Sequence, residues 1–460
     1  MNIAEIISPN RPMEQIIGDL KKKTIRVRAW SDLEREYDAR MHPVNDRKIY
    51  RDKMSKKGEI EQVTRFSLPL QRLATKRMTE LIFGIPIKRV YHYDDGDENA
   101  KRVANIMEAI FQKNRIDSIN LERGKMLYAA CECVTLWYSQ EMATQYAGEI
   151  SPLKLRCKNY SPMKGDTLYP LFDEYDDLIA LSVEYTYTEN NQTIRYFDTY
   201  TADEHVRWCS KDGKSHEELR EKITLQKITG VYISRQEPIW EDQSQNVYEA
   251  EWTLSRNGNY IRKNAKPIWV VCSDDEIKLG KEEGDNGGRA ILQYPAGATA
   301  GYATWPQAIE SIKYQVEEIK RDFFMMLQLP DMSMENMKAT PMSGEARKMM
   351  FIDAQLKVLD EKGIWLEAFD REINVVRAFM RLMYPGLTQA IETLQVENVI
   401  TPYTINDEGE QITNLMNATG GKAIMSQKTA IRYLDYCNDV DKEMQQIADE
   451  SAGNIFEPTL

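Results

Sequence analysis

Apolar positions along the chain follow two rhythms, and the change from one to the other divides it. From Ile309 the apolar residues Ile312, Val316, Ile319, Phe323 and Met326 recur at alternating steps of three and four. The positions between them are charged (Glu310, Lys313, Glu317, Glu318, Lys320, Arg321), so the spacing predicts one apolar stripe on a charged helix. Thr304-Trp305-Pro306 reads as its start, with Thr placed to cap and Pro suited to a first helical turn. Leu329-Pro330 ends it, because the residue before a proline is driven out of the helical region. A Met-rich loop follows from Asp331 to Lys338. A second, longer helix is expected from Pro341-Met342-Ser343-Gly344 through Phe351, Leu356, Leu359, Ile364, Leu366, Phe369, Ile373, Val376 and Met380, stopped by Pro385-Gly386.

Helical spacing also marks the polar first sixty residues and the stretch Val63 to Phe83, which Gly84-Ile85-Pro86 stops. It continues over residues 99–145, through Val103, Ile106, Met107, Ile110 and Phe111, then Met126, Leu127, Ala130 and Val134. Trp240 to Lys263 is expected to be helical too, with Gly258 weakening it by about 1 kcal/mol relative to Ala and marking a place to break. Between these blocks, Leu153 to Trp208 alternates with β-branched and aromatic residues. Leu181–Tyr187 and Thr193–Thr201 read as a hairpin joined by Glu189-Asn190-Asn191. His205–Trp208 and Leu225–Ser234 add strands, as do Pro267–Val271 and Ala290–Tyr294 around a glycine-rich loop, Gly280 to Gly288. Near the C-terminus, Ile412, Leu415 and Met416 precede a helix Ala430–Tyr436 that Ser426 caps, and the acidic run Asn438 to Glu450 is expected to end it. The whole predicts an α+β chain, mostly helical.

At 460 residues, 42% hydrophobic and 29% charged, the chain has the composition of a globular protein with room for several units. It has no apolar run of membrane-spanning length and no signal-peptide layout at Met1–Glu5, so a cytoplasmic site of synthesis is expected. The six cysteines are scattered; Cys131 and Cys133 stand one residue apart, too close for a Cys-x-x-Cys pair, and read as buried thiols. Net charge is −12 but uneven. Residues 1–90 hold 20 Lys/Arg against 12 Asp/Glu, whereas residues 384–460 hold 4 against 12. An acidic total argues against a protein that grips DNA through a basic face. It suits a passage that must not trap what slides through it, and it equally suits plain solubility.

Gln293-Tyr294-Pro295-Ala296-Gly297, Thr304-Trp305-Pro306, Leu329-Pro330-Asp331-Met332-Ser333 and Ser343-Gly344-Glu345-Ala346, in this order and spacing, resemble the portal proteins of tailed bacteriophages, more narrowly those of long-tailed phages. Arg347 departs from the pattern, standing where the family has an apolar residue. The resemblance implies a portal fold assembled as a ring. Residues 1–239 would form the wing, 240–263 the first stem helix, 264–303 the clip, 304–328 the second stem helix and 329–342 the tunnel loop. Residues 343–385 would form the long wing helix, and 386–460 the crown and C-terminal tail. The implied tunnel-loop residues are Met332, Ser333, Met334, Glu335, Asn336, Met337 and Lys338. Flexible, uncharged methionines suit a constriction that touches DNA without holding it. Lys313, Glu317, Lys320 and Arg321 are left for stem interfaces or the channel wall, and Asp274, Asp275, Glu276 and Arg289 for partners at the clip. Implied partners are further copies of the chain (a homododecamer), double-stranded DNA, the terminase large subunit, a head–tail adaptor, the major capsid protein and a scaffolding protein, with no membrane. The implied location is the portal vertex of a virion assembled in the host cytoplasm.

No constellation of catalytic residues competes with this reading. His42, His92, His205 and His216 stand apart in sequence, without metal-ligand spacing. Asp94-Asp95-Gly96-Asp97-Glu98 lacks the alternate ligands of a calcium loop. Gly280 to Gly288 carries no Gly-Lys-Ser/Thr and bears carboxylates that repel phosphate, so it reads as a clip loop. No cofactor is expected. A different virion structural or adaptor protein, or a virion-associated enzyme built from scattered residues, are the alternative classes.

Overall fold

The computed structural model describes residues 3–22, 27–54, 58, 60–94, 96–189, 192–211, 214–264, 268–272, 299–303, 309–330, 351–403, 408–420, 423–434 and 440–453. Among these, helices and antiparallel sheets share the chain, the α+β arrangement that the two rhythms predict.

The polar N-terminal stretch breaks into short helices, α1 (Ile3–Ile6), α2 (Met13–Leu20) and α3 (Trp30–Tyr37). A hairpin of β1 (Lys53–Met54) and β2 (Ile60–Glu61) follows. The helical spacing seen from Val63 materialises only as α4 (Leu70–Phe83), because Pro69 holds the preceding residues extended. After β3 (Lys88–His92), Asp97 caps α5 (Glu98–Lys113) by accepting the Ala100 N–H at 2.9 Å. The acidic cluster at 94–98 thus starts a helix. α6 (Ile116–Ala130) ends at Cys131, whose φ of 63° turns the chain sharply into β4 (Glu132–Gln140). Val134, expected on a helix, therefore lies on a strand buried from both sides. Its β-branched and aromatic neighbours Val134-Thr135-Leu136-Trp137-Tyr138 explain why.

β4 is the middle of a three-stranded sheet between β7 (Lys154–Tyr160) and β13 (Gly230–Ser234), with a small ribbon of β5 (Thr144–Tyr146) and β6 (Glu149–Ser151) beyond it. The alternating block folds as an antiparallel sheet in simple chain order, β8 (Thr167–Phe172) to β12 (Lys214–Lys222). Its centre is the expected hairpin, β9 (Leu178–Glu189) with β10 (Gln192–Tyr200), in the register Tyr196↔Tyr185. β11 (Glu204–Lys211) continues it. β12 was not expected, because its charged sequence hides an edge strand. One face of this sheet is covered by Ile6, Ile7, Ile16 and Leu20 of the N-terminal segment.

The main core gathers α4, α5, α6 and the three-stranded sheet around one long helix, α9 (Ile352–Met383). Trp365 and Phe369 of α9 pack against Phe83 of α4, with the Phe83–Trp365 ring centroids 4.8 Å apart. The long helix starts at Ile352; the earlier start expected near Pro341–Gly344 lies outside the described residues. It leads through α10 (Thr388–Thr393) to β16 (Gln395–Val399), a strand the sequence reading missed, which pairs with β3. The C-terminal segment holds α11 (Glu408–Thr419), α12 (Gln427–Leu434) and α13 (Val440–Gly453). Ser426 caps α12 as expected, its hydroxyl accepting the Thr429 N–H at 3.2 Å. The acidic run after it does not merely terminate that helix; from Val440 it forms α13.

Candidate functional site

The segment that interrupts this core is a limb of two helices, α7 (Ser244–Asn264) and α8 (Ile309–Met326). Each is followed or preceded by a strand, β14 (Ile268–Cys272) after α7 and β15 (Thr299–Ala303) before α8, and the two strands pair antiparallel. At the other end, Gln243 just before α7 meets the Met326 sulfur at 3.5 Å. The helices are thus antiparallel neighbours closed by a small β ribbon. Ile268–Val271 lies on the expected strand. Ala290–Tyr294 and the glycine-rich loop fall outside the described residues, and so do Asp274, Asp275, Glu276 and Arg289.

On α8, Val316 and Phe323 of the predicted stripe are buried, and Ile312 and Ile319 half-buried. The stripe turns at its end: Phe324 and Leu327 are buried, and Met326 is exposed instead. Lys313, Glu317 and Arg321 lie exposed on the opposite side, with Lys320 half-buried at its margin. The charges compensate along the helix. Lys313 Nζ lies 3.7 Å from Glu317, and Arg321 pairs with Glu318. Pairs of this kind at exposed i,i+3 and i,i+4 positions contribute only about 0.2–0.5 kcal/mol each, so they offset the surface charge more than they add stability.

The end of α8 is fixed tightly. Gln328 takes a left-handed φ of 55°, and Leu329 donates its N–H to the Phe324 carbonyl at 2.9 Å. The Arg77 guanidinium of α4 lies over the Phe324 ring, 4.2 Å from its centroid, and donates to the Pro330 carbonyl at 2.7 Å. The chain at Pro330 is therefore rooted on a core helix. Met332, Ser333, Met334, Glu335, Asn336, Met337 and Lys338 lie outside the described residues, as do Ser343–Ala346 and Arg347.

α7 is held by a device that sequence reading missed. The extended strap 62–68 runs antiparallel along it. The Glu251 carboxylate accepts the Leu68 N–H at 2.6 Å, the Ser255 hydroxyl the Phe66 N–H at 2.8 Å, and the Asn259 amide oxygen the Thr64 N–H at 2.6 Å. Arg262 donates to the Gln62 carbonyl at 3.0 Å. The registers match physically: four helical residues rise about 6 Å and two extended residues about 6.6 Å, so every second strap amide meets the next turn. Gly258 sits under the strap, where a Cβ would stand 2.8 Å from Thr64 Cγ2 and 2.9 Å from Phe66 Cε2. The helix therefore does not break at Gly258; the glycine admits the strap. His42, buried, adds a 2.6 Å contact from its Nδ1 to Glu251. The polar row Glu251, Ser255, Asn259 at steps of four was visible in the sequence and is the signal that would have revealed the strap.

The frame behind the limb is polar at its centre. Arg123 of α6 makes a buried two-pronged pair with Glu372 of α9, at 3.1 and 3.0 Å, and Trp137 of β4 donates to the same carboxylate at 3.0 Å. Thr135 and Asn159, 2.8 Å apart, extend the network across the sheet. Burial pushes the thiols of Cys131, Cys133 and Cys157 up to about 12, which removes them as nucleophiles near neutral pH. Cys272, in contrast, is exposed. Among the described residues, no group of three His, Cys, Asp or Glu side chains is placed to hold a metal ion, and no helix is long and apolar enough to cross a membrane. Of the histidines, His42, His92 and His205 each face a carboxylate of a separate element.

No curated protein matches the chain. Among solved structures it is similar to a chain of the "Virion of native gene transfer agent (GTA) particle", at 11% identity over 91% of this chain and 97% of that one, with a TM-score of 0.39. It is also similar to a chain of the "Neck of empty GTA particle computed with C6 symmetry", at 9% identity over 80% and 90%, with a TM-score of 0.41. The family model described as "Phage portal protein, SPP1 Gp6-like" matches residues 16–455. With nearly its full length matched by that model, the chain belongs to the SPP1 Gp6-like family of phage portal proteins.

Proposed function

We propose that the chain is the subunit of a ring at one vertex of a virion, serving as the conduit for double-stranded DNA and as the head–tail connector. The observation that carries this reading is the antiparallel limb α7–α8 with its β ribbon, rooted on the core through Arg77 and Pro330. In this reading the limb is the stem, and the ribbon end is the clip that meets terminase or an adaptor through Asp274, Asp275, Glu276 and Arg289. The surface of α8 supports it: Lys313 pairs with Glu317 and Arg321 with Glu318, so these cations are offset along the helix and offer DNA no deep electrostatic minimum. Met332 to Lys338, directly beyond the anchored Pro330, form the constriction. No step requires bond chemistry; the protein acts by position and shape.

Deleting Met332–Met337 tests the assignment, because the Arg77–Pro330 anchor lies outside the deletion. Rings should assemble at the wild-type yield, measured by native mass spectrometry, while particles carrying the deletion fail to retain DNA. Loss of assembly itself would contradict the assignment.

A further inference from the structure

Two exposed apolar surfaces, one rimmed mainly by cations and one flanked by two exposed carboxylates, remain uncovered among the described residues. The first surrounds the β1–β2 hairpin. Met54 and Ile60 face one another across it, 77% and 70% exposed, and Ile49 on the segment leading into it is exposed as well. Arg47, Lys48 and Arg51 rim this surface, outnumbering the exposed Asp46 and Glu61. The apolar residues are aliphatic and offer no stacking platform for bases. An apolar centre within a charged rim is the anatomy of a protein interface.

The second surface lies on the N-terminal half of α9. Ile352, Leu356 and Leu359 recur at steps of four and three on the side opposite the buried Ala354, Val358 and Trp365, with Leu356 and Leu359 51% and 50% exposed. Gly363 continues the series with open space above it, which admits close approach of a neighbouring backbone. Beside the stripe, Asp353 and Asp360 are exposed and have no ion-pair partner among the described residues. Lys357 and Lys362, on its flanks, are half-buried.

We infer that in the ring the hairpin surface of one copy docks on the α9 stripe of the next. This rests on the ring reading given above. Charge complementarity selects a second copy as the occupant, because the basic rim and the acidic row belong to one chain. A contact between two different patches of identical copies is heterologous, the kind of contact that closes into a ring. Arg47, Lys48 and Arg51 then face Asp353 and Asp360 while the aliphatic centres meet.

Two surface variants test the docking: one carrying Arg47→Glu, Lys48→Glu and Arg51→Glu, the other Asp353→Lys and Asp360→Lys. Circular dichroism and thermal melting first establish that both fold as the wild type does. In native mass spectrometry each alone should need at least tenfold more protein to form rings. Mixing the two should restore rings holding both chains in equal number, because each reversed patch then meets a complementary one. Wild-type rings with either variant unaffected, or a mixture of folded variants that stays unassembled, overturn the docking alone. A wild-type chain that never forms rings overturns the ring reading and the docking with it.

Discussion

Single residues decide the fold where charge or volume leaves no slack. Arg123 and Glu372 are buried together, and removing one partner of such a pair costs about 3–5 kcal/mol because the other charge is stranded. Glu372→Gln should accordingly lower the unfolding free energy by about that amount in a denaturant titration; a loss below about 1 kcal/mol would show that water reaches the site. Asp198 in the five-stranded sheet gives a pH signature. Burial raises its pKa, but hydrogen bonds from His205 and Arg207 lower it further, leaving it below the ordinary value. Such a carboxylate stabilises the fold above the unfolded pKa of about 3.9, and that contribution is lost as pH falls through the folded pKa. Asp198→Asn should therefore be less stable than the wild type at neutral pH, by about 1–3 kcal/mol, with the gap shrinking below about pH 4. A gap unchanged from pH 7 to the acid limb would contradict this account. Gly258 shows how local propensity misleads. Its replacement by Ala gains about 1 kcal/mol of helix propensity yet pushes into Thr64 and Phe66, an overpacking worth about 1–3 kcal/mol. A thermal melt should show Gly258→Ala no more stable than the wild type.

Among elements, periodicity carried the reading wherever one face meets the core and failed where a side chain bonds to distant backbone. The hairpin β9–β10, the helix ending before Pro330 and the body of α9 follow from spacing and proline alone. Val134 was misread because a buried strand and a helix turn share the same apolar content. β12 was missed because an edge strand needs no apolar face, and β16 because its partner β3 lies some three hundred residues away. The strap on α7 joins residues nearly two hundred positions apart; the polar row on α7 hints at a partner, but no local pattern says which segment supplies it. It has its own test. Changing Ser255 and Asn259 together to Ala should raise the hydrogen-exchange rates of the Phe66 and Thr64 amides at least tenfold while leaving core amides of α9 protected. Uniform loss of protection would mean that the strap supports the global fold instead. Of the expected site residues, only those on α8 lie among the described residues. Lys313, Glu317 and Arg321 are exposed there, and Lys320 is half-buried.

The whole molecule combines a stiff frame with a limb that leaves it. A buried ionic network ties α6, α9 and the sheet, Arg77 roots the limb's end, and the strap braces its first helix. This division suits the ring subunit proposed above, whose core would stay fixed while its limb borders a passage. The most direct test of the account is native mass spectrometry of the purified chain, with negative-stain microscopy of the same sample. The account predicts a closed ring of about a dozen copies around a central hole, the size the family resemblance implies, in line with a heterologous contact that closes. A compact dimer or tetramer without a channel would contradict it.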